Sequence, residues 1–526
     1  MTVAKTSHTR SEGVDTQDAQ VSDSGSETKG AARERSNAVW FDPWLICTHQ
    51  LVVGYAEALT ERYARDPTRQ RRLKVADREN LRAMLHALLS NLAYAVVLAG
   101  KPPSPLIFGP VPPSVLISLR TMKQKQKRRY GRPEGFAGLP AALDRLIRRP
   151  LVGDLFSLEK SHTKGEASRI VVGPLAWEVA HGQIGPADFS YAEGYETIWL
   201  SKVAHDYIDG TIDREWIDYK DTPETIRYRA EMGRINAFLA EADVRMEPSD
   251  SGSGNGSGGP PVVTFMRPLR RLFSQPLKQS IGGDDTPRFD RSGRLYGGWG
   301  WQTLPRSQRH LIRIDGEPIA ELDFASMLLR LAYLRAGIEP PEGDLYTMVQ
   351  GAPPKPRATA GEIPPFEGFE FKISDSIPIP IKQSAGLRAS ALDDLRVLAE
   401  DRERWRDGVK KICSAMLFRT GPLTRLPPNI RPLLPSRIRA ATIREAVLAA
   451  HPALASVFET GVGLQLMFTE SQILVSTLLR LIDHGIPALP LHDGLLVARS
   501  KAGAAMEAMA AASEEIVGTR LPITLK

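Results

Sequence analysis

Two aspartates carry the first chemical question. Asp323 closes the run Ile319-Ala-Glu-Leu-Asp323-Phe, which reads as a short strand whose last carboxylate can face solvent or a metal rather than a core. Asp493 lies in Ile486–Ala498 (IPALPLHDGLLVA), where apolar residues flank Asp493-Gly494, a strong signal for a tight β-hairpin turn. Each has an ordinary explanation alone: a junction residue with local hydrogen bonds, or a plain hairpin. Carboxylates on adjacent strands can do more, because they can bridge two magnesium ions about 4 Å apart, one activating an attacking hydroxyl and one stabilising a leaving pyrophosphate. A third segment, Arg406–Phe418 (RDGVKKICSAMLF), places Arg406, Lys410, Ser414 and Phe418 at spacings of four, along roughly one face of a helix. Two cations, a small residue and an aromatic suit a triphosphate and its base; the plainer reading is an exposed basic helix with its apolar face packed. Phosphoryl transfer needs metals, positive charge and alignment more than covalent help from protein. The ordered set of three therefore says more than any one part.

The elements that must position these residues can be read in outline. Ser326 follows Asp323 and can cap the next helix. A helix over Thr469–His484, closed by Gly485, precedes the hairpin. Upstream, Asn80–Leu98 is long and apolar on more than one side, as a buried helix is. Thr222 and Pro223 are a capping side chain and a first-turn ring, opening a helix with Tyr228, Met232, Ile235 and Leu239 along one side and Arg227 and Arg234 elsewhere. The basic stretch Arg120–Arg132, with Tyr130 among its cations, either tracks a nucleic-acid backbone or is a solvated face. The expected organisation is a disordered polar tail over 1–36 and a mainly helical region over 37–245. A Gly/Ser linker or loop over 246–262 follows, then a strand-and-helix region over 263–526 with a Pro-rich surface insertion at Ala352–Ile381.

Composition narrows the class. Lys plus Arg number 68 against 61 Asp plus Glu, a net charge of +7 whose sign suits a partner made of phosphates. Only Cys47 and Cys413 are present, too few for a disulfide framework or a thiolate zinc site, which fits a reducing cytoplasm. No stretch is expected to cross a membrane and no signal peptide is evident. His492-Asp493 also suggests a metal-dependent phosphohydrolase of the HD type, but that class needs a later Asp and none follows Asp493.

These motifs resemble those of the right-hand nucleotide polymerases of the DNA polymerase I (family A) and phage single-subunit RNA polymerase type. Asp323-Phe-Ala-Ser-Met-Leu-Leu-Arg330 is similar to motif A, and Arg406-x-x-x-Lys410-x-x-x-Ser414-x-x-x-Phe418 to motif B on the fingers helix. His492-Asp493 is similar to the motif C hairpin, and Ser292-Gly-Arg-Leu-Tyr296 to the Gly-Arg element before motif A. The likeness covers roughly Gly293 to the C-terminus. It implies an α+β chain: an antiparallel palm sheet bearing Asp323 and Asp493, helical fingers around Arg406–Phe418, and a thumb that can include the helix after Thr222. It further implies two Mg2+ ions, or Mn2+, with Asp323 and Asp493 as ligands, and primer-template nucleic acid and nucleoside triphosphates as partners. Arg406 and Lys410 would hold triphosphate, and Ser414, Phe418 and Leu328 would lie around the nucleotide. Arg294, Arg330 and His492 would meet nucleic acid. The sequence departs from the family pattern at Leu328, where the DNA polymerases carry a Glu that excludes ribose, and at Gly494, where Glu or Ser follows the motif C Asp. It departs also at Phe418, which lacks a phenol hydroxyl, and at Arg419, where Gly is expected. The implied activity is template-directed nucleotidyl transfer, as a DNA polymerase. The alternatives are a degenerate nucleic-acid binder on the same fold and a single-subunit RNA polymerase or primase-like enzyme.

Overall fold

A computed structural model describes residues 38–67, 71–99, 113–117, 141, 154–160, 167–205, 212–247, 262–263, 268–276, 286–297, 301–302, 304–349, 389–434 and 438–526. The tail, the basic stretch 120–132, the Gly/Ser tract 249–259 and the Pro-rich stretch 352–381 lie outside these residues. The chain is mixed α/β, with more helix than strand and largely antiparallel sheets. Its contacts divide it into two compact units. The first combines 1–203, 214–324 and 471–526; the second combines 204–213 and 325–470.

In the first unit a sheet runs, in spatial order, through Val262–Val263, Val244–Met246, Ile312–Ile314, Glu317–Phe324, Gly494–Ala498 and Ala488–Pro490, with Ile523–Leu525 also paired to Glu317–Phe324. Every pairing in it is antiparallel. Glu317–Phe324 is its pivot. Ala320, Leu322 and Phe324 are buried, while Glu321 and Asp323 are half-buried, the period of two that places alternate side chains on opposite faces. Asp315-Gly316 turns Ile312–Ile314 back onto this strand, with Ile314 opposite Glu317, and both turn residues have positive φ (53° and 77°). That is the backbone an Asp-Gly type I′ hairpin requires.

The Gly/Ser tract does not separate two domains. The strands on either side of it pair with each other, Met246 opposite Val262 and Arg245 opposite Val263, so the tract joins neighbouring strands of one sheet. The unit boundaries fall instead after Phe324 and within the helix Gly463–Asp483, at Glu470/Ser471. The strand Glu317–Phe324 ends at the first of these places and the helix runs through the second, and no Gly, Pro or Ser cluster marks either.

The region expected to be mainly helical also holds strands. Ser168–Val172 alternates buried and half-buried side chains and pairs antiparallel with Ser114–Ile117 and Phe156–Glu159; Ile198–His205 pairs parallel with Arg270–Pro276. Runs this short carry weak periodicity beside the helix Val75–Ala99, whose apolar residues dominate that part of the chain. That helix spans the expected 80–98 and, by length and composition, its residues Val75–Leu98 could cross a membrane, contrary to the expectation that no stretch could. It is packed as a core instead: Leu81, Met84, Leu85, Leu88, Leu92 and Val96 are buried in one cluster with Leu45, Val52, Val115 and Ile170.

The helix Pro223–Glu241 forms as expected. Thr222 and Thr225 exchange capping hydrogen bonds, Thr225 N–H to Thr222 Oγ1 at 3.2 Å and Thr222 N–H to Thr225 Oγ1 at 2.9 Å. Tyr228, Met232, Ile235 and Leu239 form its buried side, and Arg227 and Arg234 are exposed.

Both cysteines are buried, and burial pushes the Cys47 thiol up to about 11 and the Cys413 thiol up to about 12. At neutral pH this removes roughly ninety-nine in a hundred of the reactive thiolates at Cys47 and more at Cys413. A thiol-reactive chromophore at pH 7.5 should therefore label the folded protein at least about a hundredfold more slowly than the denatured chain, which should give both thiols at once. Rapid labelling of either cysteine under native conditions would place it in solvent and contradict this packing.

Candidate carboxylate site and basic helix

Strand pairing brings the two aspartates together. Asp323 stands directly opposite Gly494, and the Phe324 N–H donates to the Asp493 carbonyl at 3.2 Å. Residues 170 positions apart thus meet at one end of two paired strands, and both carboxylates are half-buried.

Gly494 permits this approach, though not as a turn glycine. Its φ is not positive, and it begins the strand rather than the turn. The turn closes through the Leu491 N–H, which donates to the Gly494 carbonyl at 2.8 Å, so His492 and Asp493 form its tip. A Cβ on Gly494 would lie 2.2 Å from the Leu322 carbonyl oxygen and 3.1 Å from Asp323 Oδ1. Any larger residue there, Glu or Ser included, would push the hairpin off the strand that carries Asp323. The same dipeptide serves as a true type I′ turn at Asp315-Gly316 and as a close-approach site at Asp493-Gly494.

Lys526 adds a cation that the sequence reading missed. Its ammonium donates to Asp323 Oδ2 and lies 3.8 Å from Glu321 Oε1. Arg309 Nη1 lies 3.4 Å from the same Glu321 oxygen. The strand Ile523–Leu525 holds Lys526 here, pairing Thr524 with Asp323. The signal was short but present: Ile-Thr-Leu-Lys alternates apolar and polar residues.

The remaining expected residues of the first unit gather near the hairpin. Trp301 Nε1 and Gln302 Nε2 both donate to the Pro490 carbonyl, at 2.7 and 3.1 Å, fixing the hairpin against the end of Ser292–Tyr296. The Tyr296 and His492 rings pack at a tilt, 5.6 Å between centroids. Arg294 lies two residues before Tyr296, half-buried on the same side of its strand. Ser292-Gly293 is a bulge: Leu272 pairs with Arg294 and Phe273 with Ser292, leaving Gly293 over. With φ at 79° and its missing Cβ 2.7 Å from Ser471 Oγ, Gly293 lets the helix Gly463–Asp483 approach.

Beneath this bulge the guanidinium of Arg271 is wholly buried. It donates to the Gly293 carbonyl, Ser471 Oγ, Gln472 Oε1 and Glu231 Oε2 at 2.8–3.3 Å, and lies 4.5 Å from the centroid of the Tyr228 ring. Burial pulls its pKa down to about 10, partly offset by Glu231 and Tyr228, so it remains a cation at neutral pH.

The second unit holds the other expected residues. The basic helix extends over Ala389–Phe418. Val409, Ile412, Cys413, Met416 and Leu417 are buried, while Arg406, Lys410, Ser414 and Phe418 lie on the opposite, more exposed side, as the spacing implied. Arg406 donates through Nε to Asp344 and lies over the Tyr346 ring at 5.5 Å. Asp344 is itself held by the Tyr346 N–H at 3.1 Å and by Ser326 Oγ at 3.3 Å. Ser326 occupies the N-cap position of Met327–Arg335 but is left-handed (φ 51°), and its hydroxyl makes no capping bond. It serves Asp344 instead. Gly343-Asp344 is a turn signal that could have identified this residue. Phe418 packs its ring onto Gly463, where a Cβ would come within 2.5 Å of the ring.

Leu328 is half-buried. Arg330, expected to meet nucleic acid, is only 4% exposed and donates to the carbonyls of Ala325, Pro341 and Gly343 at 2.7–3.0 Å. Its fork is spent on the 336–343 loop, so its role here is to hold backbone. Arg419 is half-buried near Glu459, which Arg444 grips through two bonds of 2.8 and 2.7 Å.

Among the described residues no group of three His, Cys, Asp or Glu side chains could hold a metal. Asp323 and Asp493 are instead a pair of hard oxygen donors. Such a pair suits Mg2+, which keeps positions for water and substrate phosphates. The Asp323 carboxylate is paired with the Lys526 ammonium in this structure. No protein-family model matches the chain, and a search of curated proteins finds no match.

Gly494→Ala should lower stability by about 1–3 kcal/mol through the clash with Leu322. Gly233→Ala, in an exposed helix interior with nothing within 4 Å of its Cβ, should raise it by about 0.5–1 kcal/mol. Denaturant melts of the two variants check this, and a neutral Gly494→Ala would show that the hairpin does not depend on the missing Cβ. Arg330→Ala should cost about 3 kcal/mol by stranding three carbonyls. A loss below about 1 kcal/mol in the same melts would leave Arg330 without its holding role.

Proposed function

We propose that this chain is a template-directed nucleotidyltransferase, a DNA polymerase of the DNA polymerase I type. The reading rests above all on one observation: antiparallel pairing sets Asp323 opposite Gly494, beside Asp493, at one strand end. Motif order and the exposed position of Lys410 on the basic helix support it. In this reading the antiparallel sheet of the first unit is the palm and the helix Ala389–Phe418 belongs to the fingers.

Asp323 and Asp493 are the residues that would hold two Mg2+ ions, which when bound supply activation of the primer 3′ hydroxyl and charge neutralisation at the leaving pyrophosphate. Arg406 and Lys410 neutralise triphosphate oxygens. Asp344 fixes Arg406 by its Nε, which leaves the terminal nitrogens to face a ligand. Phe418, seated on Gly463, supports the nascent pair. Arg294 meets the primer-template strand, and His492 shapes the hairpin tip through its contact with Tyr296. Leu328 places no carboxylate beside the sugar, so in this reading the chain cannot exclude ribose by the acidic side chain that the DNA polymerase I type uses.

Primer extension by the purified full-length protein with Mg2+, offering deoxy- and ribonucleotides in parallel, tests the reading. Incorporation directed by the template is expected, and Asp323→Asn or Asp493→Ala should each reduce it at least about a hundredfold. Undiminished synthesis by the Asp493 variant would remove the assigned site. Binding of primer-template without incorporation under any nucleotide would make the protein a binder instead.

A further inference from the structure

We propose that Lys526 is the resident cation of the carboxylate site: its ammonium neutralises Asp323 when no divalent ion is bound and passes to Glu321 when one is. The inference rests on reading Asp323 and Asp493 as metal ligands. Three observations carry it. First, Lys526 is anchored by backbone and not merely nearby. Its N–H donates to the Glu321 carbonyl at 2.9 Å, and Thr524 Oγ1 donates to the Asp323 carbonyl at 3.1 Å. Second, one ammonium faces two carboxylates from the same side of one strand, contacting Asp323 Oδ2 and lying 3.8 Å from Glu321 Oε1. A small side-chain rotation therefore exchanges one partner for the other. Third, the site is partly withdrawn from water. The Lys526, Asp323 and Glu321 side chains are 34%, 18% and 13% exposed, so their attraction is screened less than that of a surface pair.

The physical consequence is competition. A divalent ion held by the Asp323 carboxylate would compete with the ammonium for the same negative charge, and the two cations would repel each other across one side chain. Metal binding and the Lys526–Asp323 contact are linked equilibria, each weakening the other by the same factor. Glu321 lowers the cost of the exchange by receiving the displaced ammonium. It also keeps that charge two residues from the metal site instead of releasing it to solvent. Arg309 holds Glu321 in place for this at 3.4 Å.

The test is Mn2+ binding to the full-length protein without nucleic acid or nucleotide, followed by electron paramagnetic resonance of the free ion. Lys526→Met should bind Mn2+ about fivefold more tightly than the parent, and its metal-free form should melt at a lower temperature. Lys526→Arg should restore the parent affinity. Glu321→Gln should weaken binding in the parent and leave it unchanged in the Lys526→Met background, since the effect passes through Lys526. Unchanged or weaker binding by Lys526→Met, with parent binding that Asp493→Ala abolishes, overturns the role of Lys526 and leaves the carboxylate pair standing. Parent binding that Asp493→Ala does not alter overturns the pair, and the inference with it. If Lys526→Met fails to fold by circular dichroism, Lys526→Gln decides the same comparison.

Discussion

The pairing of Glu317–Phe324 with Gly494–Ala498 is the contact on which the rest of the site depends. It is a long-range ladder between segments separated by residues 325–493, and its register is set by burial. Leu322 faces Leu495 across the pair, both fully buried, so a slip of one residue would turn these chains outward. The same register leaves Asp323 opposite a residue without a side chain. Backbone hydrogen bonding and apolar packing, in which the aspartate side chains take no part, thereby set Asp323 beside the hairpin that carries Asp493.

Cations surround this acidic end and the basic helix in different ways. Lys526 and Arg309 are fixed near Glu321 and Asp323 by strand pairing and by the hairpin sheet. Arg406 is oriented by Asp344, which is itself held by a backbone N–H and a serine hydroxyl. Arg271 and Arg330 are consumed by the interior, one in a buried network and one on backbone carbonyls. Four arginines and a lysine with equal formal charge thus have separate tasks, and exposure with hydrogen-bond partners tells them apart. The net charge of +7 distinguishes none of them.

The glycines show the same divergence of role. Gly316 supplies a positive φ, Gly293 forms a bulge and makes room for Ser471, and Gly494 and Gly463 lie where neighbouring atoms occupy the space of a Cβ. Two positions at which the chain departs from the polymerase motifs it resembles follow from this. Gly494 stands where a side chain would strike Leu322. Phe418 is held by Gly463 rather than by any hydroxyl of its own.

Much of the local structure was legible in the chain itself. The capped helix after Thr222 and its buried side followed from a capping pair and a period near 3.6. The exposed face of Arg406–Phe418 followed from spacings of four, and the end of the strand at Asp323 from its apolar run. These are short-range effects of backbone geometry and side-chain alternation. The tertiary structure decided what depends on distant partners. It made the Gly/Ser tract a connection between paired strands, buried Arg330, sent the Ser326 hydroxyl to Asp344, and brought Lys526 onto Asp323. Sequence carries the periodicity that shapes an element, whereas the neighbour a side chain meets is set by packing between segments, from Ser326 and Asp344 in adjoining segments to Asp323 and Lys526 some two hundred residues apart.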